Sequence, residues 1–133
     1  LEKKSLNYNY VIGLQPTSPL RDKKDIDNAC KFFLKKNLDS LLSAQKIKDY
    51  FVWKKDKKKL TANYDIFKRS RRQAINEKYL ENGSLYIFKK NQFIKKKNRL
   101  FGKIGIYIMS KINSFQIDSF EDIKIANKLF KKT

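Results

Sequence analysis

The residues of this chain that could carry chemistry are chiefly carboxylates, hydroxyls, amides and arginines. The 133 residues include no histidine and a single cysteine, Cys30. Catalysis by a Ser-His or Cys-His pair therefore has no support in the sequence, and neither does a zinc site. Any reaction has to rely on positioning, on charge and on a cation that prefers oxygen ligands. Transfer of a phosphate-bearing group suits these means, since the protein mainly orients the reactants and neutralises charge.

One loop could hold side chains that bind a ligand. Residues 15–21, with the sequence QPTSPLR, follow the apolar run 10–14 and precede an amphipathic segment. The two prolines exclude the middle of a strand or a helix, so this segment is a rigid loop. A polar loop that leaves the carboxyl end of a buried strand and enters a helix is where open α/β sheets bind ligands. A plain connecting turn is the alternative interpretation.

A strand-helix-strand unit is expected to position this loop. The run 10–14 is continuous and apolar, as in a strand that is buried on both faces. The helix that follows has acidic residues near its start and lysines at its end, which complements the helix dipole. Residues 38–44 are predicted as the next strand, parallel to the first with a right-handed crossover. The apolar stripe of the helix consists of Ile26, Ala29, Cys30, Phe33 and Leu34.

The second half of the chain combines short strands with polar segments. Aromatic and β-branched runs predict the strands, an Asn-Gly pair predicts a turn, and helical spacing predicts a closing helix. Residues 61–82 show little periodicity, which is typical of functional or disordered segments. The predicted elements are a strand at 50–53, a charged turn at 56–59, a turn at Asn82 and Gly83, strands at 85–88 and 103–109, and a helix at about 120–131 with Ile123, Ala126, Leu129 and Phe130 on its apolar stripe.

Four short blocks resemble, in order, the motifs of one enzyme family. They are LQPTSPLR at residues 14–21, RRQ at 71–73, NGSLY at 82–86, and the segment 114–122, which resembles an S-x-D-I-D-x-x-x-D motif. The family is that of the acylneuraminate cytidylyltransferases, the CMP-sialic acid synthetases, with relatives that act on legionaminic and pseudaminic acids. An eight-residue match that contains two prolines is far more specific than a single glycine motif.

The resemblance implies an α/β fold with a three-layer, nucleotide-diphospho-sugar-transferase-like sheet of the Rossmann type. It also implies transfer of CMP from CTP to a nine-carbon sugar acid, a nonulosonic acid, with release of pyrophosphate. The family opens with a glycine- and lysine-containing loop that holds the triphosphate, and nothing of that kind precedes Tyr10. We therefore expect a C-terminal portion of a longer enzyme, without the N-terminal nucleotide-binding part and inactive by itself. Residues 50–99 are expected to form the arm of a homodimer.

The resemblance further implies which residues contact the substrates. Arg72 and Gln73 would lie beside the sugar acid or the phosphates, and a guanidinium suits a carboxylate because it can bind both oxygens. A solvated basic loop is the alternative for the arginine pair. The other expected contacts are Gln15, Ser18 and Arg21 of the proline loop, and Asn82, Gly83 and Tyr86 of the third block. The alternatives are an ordinary turn at Asn82 and Gly83, a plain strand aromatic at Tyr86, and a salt bridge from Arg21 to the following helix.

Asp118 is the expected catalytic residue and Mg²⁺ ligand. It matches the second aspartate of the family's D-I-D motif, whose carboxylates hold Mg²⁺ against the triphosphate, and Mg²⁺ commonly uses one or two carboxylates with phosphates and water. Gln116 stands where the family usually has the first aspartate. Either Asp118 suffices for the cation or the chain is a catalytically dead remnant. The alternative for Asp118 and Asp122 is a capping box that serves only the helix N-terminus.

The net charge of +19 is typical of a different class of protein, a basic nucleic-acid-binding module. The charge is nearly all lysine and is spread along the chain, whereas recognition of bases and phosphates favours clustered arginine. We therefore expect no nucleic-acid partner, and a basic field that steers polyanionic substrates. A single cysteine permits no internal disulfide, and no apolar run approaches the roughly 20 residues that span a bilayer. These features predict a cytoplasmic protein without a membrane partner.

Overall fold

The computed structural model describes residues 8–48, 51–68 and 77–130. Two compact units are present, one formed by residues 1–45 with 81–133 and the other by residues 46–80. Among the helices of the described residues, none combines the length and the apolar character that a membrane-spanning helix needs. In chain order the elements are β1 (Tyr10–Leu14), α1 (Lys23–Lys35), β2 (Ser40–Ile47), β3 (Trp53–Asp56), β4 (Lys59–Ala62), β5 (Lys78–Lys89), α2 (Lys90–Lys96), β6 (Ile104–Met109) and α3 (Phe120–Phe130).

The larger unit is built on a four-stranded sheet with the strand order β1-β5-β2-β6. β1 is antiparallel to β5, with Gly13 opposite Tyr86, and β2 is parallel to β6, with Ser43 opposite Tyr107. The long strand β5 therefore lies between β1 and β2, so these two strands are not hydrogen-bonded neighbours. The mixed sheet and its accompanying helices confirm the predicted α/β class.

Each face of this sheet carries its own apolar cluster. Successive side chains of a strand point to opposite faces, so Leu85 and Ile87 of β5 lie on one face while Tyr86 and Phe88 lie on the other. Full burial of each large apolar side chain contributes about 1.5–3 kcal/mol to folding. The first cluster consists of Ala29 and Phe33 from α1 with Leu38, Leu41, Leu85 and Ile87, and the second of Tyr86, Phe88 and Phe101 with partly buried Val11, Leu42 and Leu100.

The start of α1 is set by two aspartates that cap the helix reciprocally. The Asp22 carboxylate accepts the N–H of Lys24, and the Asp25 carboxylate accepts the N–H of Asp22, both at 3.1 Å. Asp25 is buried and also accepts hydrogen bonds from Asn113 Nδ2 at 2.7 Å and from the Tyr107 hydroxyl at 3.3 Å. One carboxylate therefore joins the helix start to β6 and to the loop that follows β6.

The prediction that the first strand is buried on both faces is wrong. β1 is an edge strand, and its side chains Tyr10, Ile12 and Leu14 each remain 44% exposed. A run of apolar residues predicts a strand, but it does not reveal which neighbours cover that strand.

The prediction of a turn at Asn82 and Gly83 is also wrong, because both residues lie inside β5. The Asn-Gly pair nevertheless identified a residue with an unusual backbone conformation, since Gly83 has a φ of 63°. Glycine adopts this left-handed conformation readily, and within a strand it often marks an irregularity or a close approach. The sequence signal therefore identified the backbone conformation but not its surroundings.

The strand predicted at 85–88 is part of the longer β5, which starts at Lys78, inside the segment 61–82 that was predicted to be irregular, and β4 corresponds to no predicted strand. The other boundaries differ by a few residues. The second strand spans Ser40–Ile47 instead of 38–44, and α3 begins at Phe120 as expected. The apolar stripes of the helices are only partly buried. Ala29, Phe33 and Ala126 are buried, Ile26, Cys30 and Leu129 are half-buried, and Leu34, Ile123 and Phe130 are exposed.

The smaller unit contains a two-stranded hairpin of β3 and β4, whose turn falls within the charged segment predicted at 56–59. The aromatic strand predicted at 50–53 is displaced along the chain, because β3 starts at Trp53. The Tyr64 ring lies edge-on to the rings of Phe51 and Trp53, with centroid distances of 4.5 and 6.1 Å. The exposed large apolar side chains of this unit include Val52, Trp53, Leu60, Ile66 and Phe67.

Candidate functional site

Three polar side chains from distant parts of the chain meet above Gly83. A Cβ atom at Gly83 would lie 3.1 Å from Gln116 Nε2, 3.8 Å from Gln15 Nε2 and 4.0 Å from the Tyr86 hydroxyl oxygen. These groups come from the loop after β1, from β5 and from the segment before α3. The absence of a side chain at Gly83 leaves the space in which they converge.

Backbone hydrogen bonds hold the proline loop in this place. The N–H of Gln15 donates to the carbonyl of Ser84 at 3.1 Å, and the N–H of Ile117 donates to the carbonyl of Thr17 at 2.9 Å. The loop is therefore bonded to β5 on one side and to the segment before α3 on the other. Asp118 follows Ile117 directly, so the expected metal ligand and the proline loop belong to one region of the larger unit.

Arg21 strengthens the same connection. Its Nη1 donates to the carbonyl of Ser84 at 2.7 Å, to Ser84 Oγ at 3.0 Å and to the carbonyl of Gln15 at 3.3 Å. The guanidinium thus holds the loop against β5, and no salt bridge from it to the helix, the alternative interpretation, is present among the described residues. Its role toward a substrate stays a prediction.

Asn82 also connects separate parts of the fold through hydrogen bonds. Its buried Oδ1 accepts from Ser43 Oγ at 2.6 Å and from the Ser84 N–H at 3.2 Å, while its Nδ2 donates to Ser114 Oγ at 2.9 Å and approaches Met109 Sδ at 3.5 Å. This amide links β5 to β2, to β6 and to the segment before α3. Its contacts are internal, so its effect on a ligand would come through the positions of its neighbours.

Ser18 lies in the middle of the proline loop. Its side chain is buried, and its Oγ has no hydrogen-bond partner among the described residues. The loop backbone turns around it, because its N–H donates to the carbonyl of Gln15 at 3.3 Å. The expected substrate contact of Ser18 stays a prediction, as do those of Arg72 and Gln73, which lie outside the described residues.

Tyr86 is fixed at both its hydroxyl and its ring. The hydroxyl donates a short hydrogen bond to the Glu81 carboxylate, and the Arg99 guanidinium carbon lies 4.1 Å from the centre of the ring. Burial, followed by the hydrogen bond and the negative charge of Glu81, raises the pKa of Tyr86 to about 12, whereas Arg99 acts in the opposite direction. The phenol is therefore protonated near neutral pH.

Glu81 and Arg99 are residues that the sequence reasoning did not assign to the site. Glu81 precedes the Asn-Gly pair, and Arg99 follows a run of lysines that looks like a solvated surface. No spacing connects either residue with Tyr86. A side chain that packs on the ring from 13 positions away can be found only once the chain has folded.

Asp118 and Asp122 have separate environments. The Asp122 carboxylate accepts the N–H of Asp118 at 3.0 Å and both the N–H and the Oγ of Ser119 at 2.8 Å. The Ser119 hydroxyl, and then the Asp118 N–H, lower the pKa of Asp122. The capping alternative therefore explains Asp122 but does not use the Asp118 carboxylate, which is exposed and has no hydrogen-bond partner among the described residues.

The predicted Mg²⁺ site depends on the carboxylate of Asp118 alone. Within residues 8–48, 51–68 and 77–130, no group of three or more histidine, cysteine, aspartate or glutamate side chains could hold a metal ion. A Mg²⁺ ion here would need most of its ligands from a bound nucleotide and from water. The assignment of Mg²⁺ to Asp118 stays a prediction.

Comparisons with known proteins agree with the four sequence blocks. No protein-family profile matches the chain. It is similar to the post-translational flagellin modification protein B of Campylobacter coli, with 32% identity over 130 residues, which cover 94% of this chain and 54% of that protein. It is also similar to the N-acylneuraminate cytidylyltransferase of Streptococcus agalactiae, with 27% identity over 93% of this chain and 31% of that protein. The chain therefore spans only part of the length of these relatives.

A solved structure supports the fold. The 4-diphosphocytidyl-2C-methyl-D-erythritol synthase of Anaerococcus prevotii matches with a TM-score of 0.60 over 96% of this chain and 62% of that chain. The sequence identity is 14%, so this likeness concerns the fold alone. The relatives confirm the resemblance that the four blocks indicated, and the solved structure confirms the predicted α/β fold.

The two glycines near Tyr86 offer a matched test of the site's geometry. In Gly83→Ala the new methyl group would face Gln116 at 3.1 Å on a left-handed backbone, whereas in Gly13→Ala the nearest atom would be Tyr86 Cβ at 4.0 Å. We expect Gly83→Ala to lower the free energy of unfolding by about 1 kcal/mol, and Gly13→Ala to leave it unchanged or raise it slightly. Urea denaturation measures both. Equal effects would contradict the special position of Gly83.

Tyr86 should make stability depend on pH in the alkaline range. The raised pKa means that the folded state favours the neutral phenol, so its contribution is complete below the ordinary pKa of 10.0 and is lost as pH rises through about 12. We expect Tyr86→Phe to lower the free energy of unfolding by about 2 kcal/mol at pH 8, since the hydrogen bond to a charged group is lost. Denaturation at a series of pH values should show this difference shrinking above pH 10. A difference that stays constant to pH 12 would refute the assignment.

Proposed function

We propose that this chain, a relative of the acylneuraminate cytidylyltransferases, contributes the sugar-binding region of an enzyme that activates a nonulosonic acid with CTP, giving the CMP-sugar and pyrophosphate. The observation that carries the proposal is the convergence of Gln15, Gln116 and Tyr86 at Gly83. These residues belong to three of the four blocks that the family resemblance connects. Blocks that are remote in sequence but adjacent in space are typical of a shared binding site.

The described groups suit orientation of a polyhydroxylated substrate. The side-chain amides of Gln15 and Gln116 each carry two donors and one acceptor, and neither has a hydrogen-bond partner among the described residues. In the proposed reaction the anomeric hydroxyl of the sugar attacks the α-phosphorus of CTP, and pyrophosphate leaves. Holding the two reactants in line removes much of the entropic barrier to such a step. The residues around Gly83 would fix the sugar for this attack.

Asp118 is our proposed ligand for Mg²⁺. Its carboxylate is exposed and unpaired in the described part of the chain, and Gln116 offers an amide oxygen two residues earlier. Such a donor set fits a cation that takes its other ligands from phosphates and water. When bound, Mg²⁺ would neutralise charge on the triphosphate. Because Gln116 is neutral, the Asp118 carboxylate would supply the negative charge of this pair.

Measurement of pyrophosphate release tests this function. In the full-length encoded protein, CTP and N-acetylneuraminic acid with Mg²⁺ should yield pyrophosphate, whereas the 133 residues alone should release none. Asp118→Asn in the full-length protein should reduce the rate by about 100-fold or more, since even outer-shell changes at metal sites cost up to about that factor. Glu121→Gln is the control, because it removes the same charge from an exposed position in the first turn of α3. No release from the unmodified protein would contradict the proposed reaction. Equal rates for the two variants would remove the metal role of Asp118.

We also propose that residues 46–80 dock on a second copy of the chain. The support is the exposure of apolar side chains around the hairpin, among which Phe67 is 90% exposed. Clusters of exposed apolar groups are typical of protein interfaces. The resemblance implies a homodimer with an arm at about residues 50–99, a range that overlaps this unit.

Light scattering at micromolar concentration tests this assembly. We expect twice the chain mass of 15.9 kDa, and we expect Phe67→Asp to shift the mass toward that of one chain, because a charge would enter an apolar interface. Phe120→Asp is the matched control, since Phe120 is 83% exposed but belongs to the other unit. A monomer before any substitution would contradict the proposal.

A further inference from the structure

Arg99 has a placement that neither the sequence blocks nor the comparisons explain. It lies in the connection between α2 and β6 and is exposed, yet its guanidinium carbon is held 4.1 Å above the centre of the Tyr86 ring. No acidic side chain in the described residues lies within salt-bridge distance of it. A cation on a long, flexible side chain is therefore positioned by a ring and not by a counter-ion.

Stacking on an aromatic face leaves the donors of a guanidinium available. The positive charge of the guanidinium is attracted by the face of the ring, and the N–H donors that do not point at the ring stay free to bind a ligand. A carboxylate can take two of these donors at once in a bidentate pair. Because the ring already restricts the side chain, less conformational entropy is lost when a ligand binds.

The support for Arg99 is itself firmly held. Tyr86 is 4% exposed, and its hydroxyl donates to Glu81, so the side chain cannot swing away about its Cα–Cβ bond without breaking that hydrogen bond. Two different interactions thus determine where the guanidinium lies. The ring is the platform, and Glu81 is the group that fixes it.

The neighbours of the platform suit a ligand that carries hydroxyl groups. The Tyr86 hydroxyl lies 4.0 Å from the point above Gly83 at which the amides of Gln15 and Gln116 converge. One phenol ring is therefore bordered by a cation on its face and by two neutral amides near its hydroxyl. A polyhydroxylated acid presents one carboxylate and several hydroxyls, which matches this combination.

We propose that Arg99, stacked on Tyr86, binds the carboxylate of the sugar acid. This inference rests on the proposed function and adds to it a residue that decides between acidic and neutral sugars. The phosphates of CTP are the other source of negative charge in the reaction. We assign the carboxylate to Arg99 because the groups beside Arg99 suit the hydroxyls of a sugar. The triphosphate is instead accompanied by Mg²⁺, for which Asp118 is the proposed ligand.

The test compares two forms of one sugar. N-acetylneuraminic acid and its methyl ester differ in the charge of the carboxyl group, so the ratio of their affinities measures recognition of that charge. The full-length encoded protein is titrated with each sugar and, separately, with CTP, and isothermal titration calorimetry measures each affinity. The variants are Arg99→Ala, Arg99→Lys, and Lys95→Ala as the control, which removes a positive charge from the neighbouring helix α2 without touching Tyr86.

We expect the unmodified protein to prefer the acid over the ester by about tenfold or more, as for a hydrogen bond to a charged group. Arg99→Ala should abolish this preference and leave CTP affinity unchanged, Arg99→Lys should restore only part of it because the planar fork is lost, and Lys95→Ala should retain it. Thermal unfolding of each variant shows whether the fold is intact.

Three results would overturn the assignment. If Arg99→Ala keeps the preference for the acid, Arg99 does not bind the carboxylate, although the proposed function stands. If Arg99→Ala weakens CTP and not the acid, the guanidinium serves the phosphates. If the unmodified protein binds neither sugar, the proposed function fails, and the role of Arg99 fails with it.

Discussion

The larger unit depends on one buried amide, the side chain of Asn82. Polar atoms withdrawn from water cost free energy unless they are hydrogen-bonded, and this amide meets Ser43, Ser84, Ser114 and Met109 from a position inside β5. Those partners lie on β2, on β6, on β5 itself and before α3. Each contact of Asn82 also satisfies a polar group of the partner residue. The alignment of the strands therefore limits the path of the chain before α3, and that path limits the alignment of the strands.

That constraint extends to the side chains that could meet a ligand. Ser84, whose N–H is bound by Asn82, accepts hydrogen bonds from Arg21 and from the Gln15 backbone. The residues that hold the site are therefore distinct from those whose groups remain available, such as the amides of Gln15 and Gln116. Such a division lowers the ordering cost of binding, since the supporting network is already formed before a ligand arrives. It also suits a chain without histidine, in which the proposed site would act through orientation and charge.

Local interactions explain why parts of the fold could be predicted from the sequence. The starts of α1 and α3 are set by side chains within three residues of the backbone groups they cap, Asp22 with Asp25 and Ser119 with Asp122. Most strand positions followed from apolar runs, with shifts of a few residues, whereas β4 and the first half of β5 had no such signal. The four blocks indicated the family and located Gln15, Gly83 and Tyr86, because those residues lie within the motifs themselves. The wrong predictions, a β1 buried on both faces and a turn at Asn82 and Gly83, both depended on which strand became the neighbour of which.

By itself the sequence determined the chemical repertoire, since a chain without histidine and with one cysteine excludes several kinds of catalysis however it folds. It also carried the resemblance to one enzyme family and determined the local starts of the helices. Only the tertiary structure decided that Asn82 joins three strands and a loop and that Arg21 holds the proline loop. It also decided that the Tyr86 hydroxyl bonds to Glu81 while Arg99 lies over the face of the Tyr86 ring. The physical reason is the range of the interactions: a capping bond spans three residues and is visible in a short pattern, whereas these contacts join residues brought together by the order of strands in the sheet.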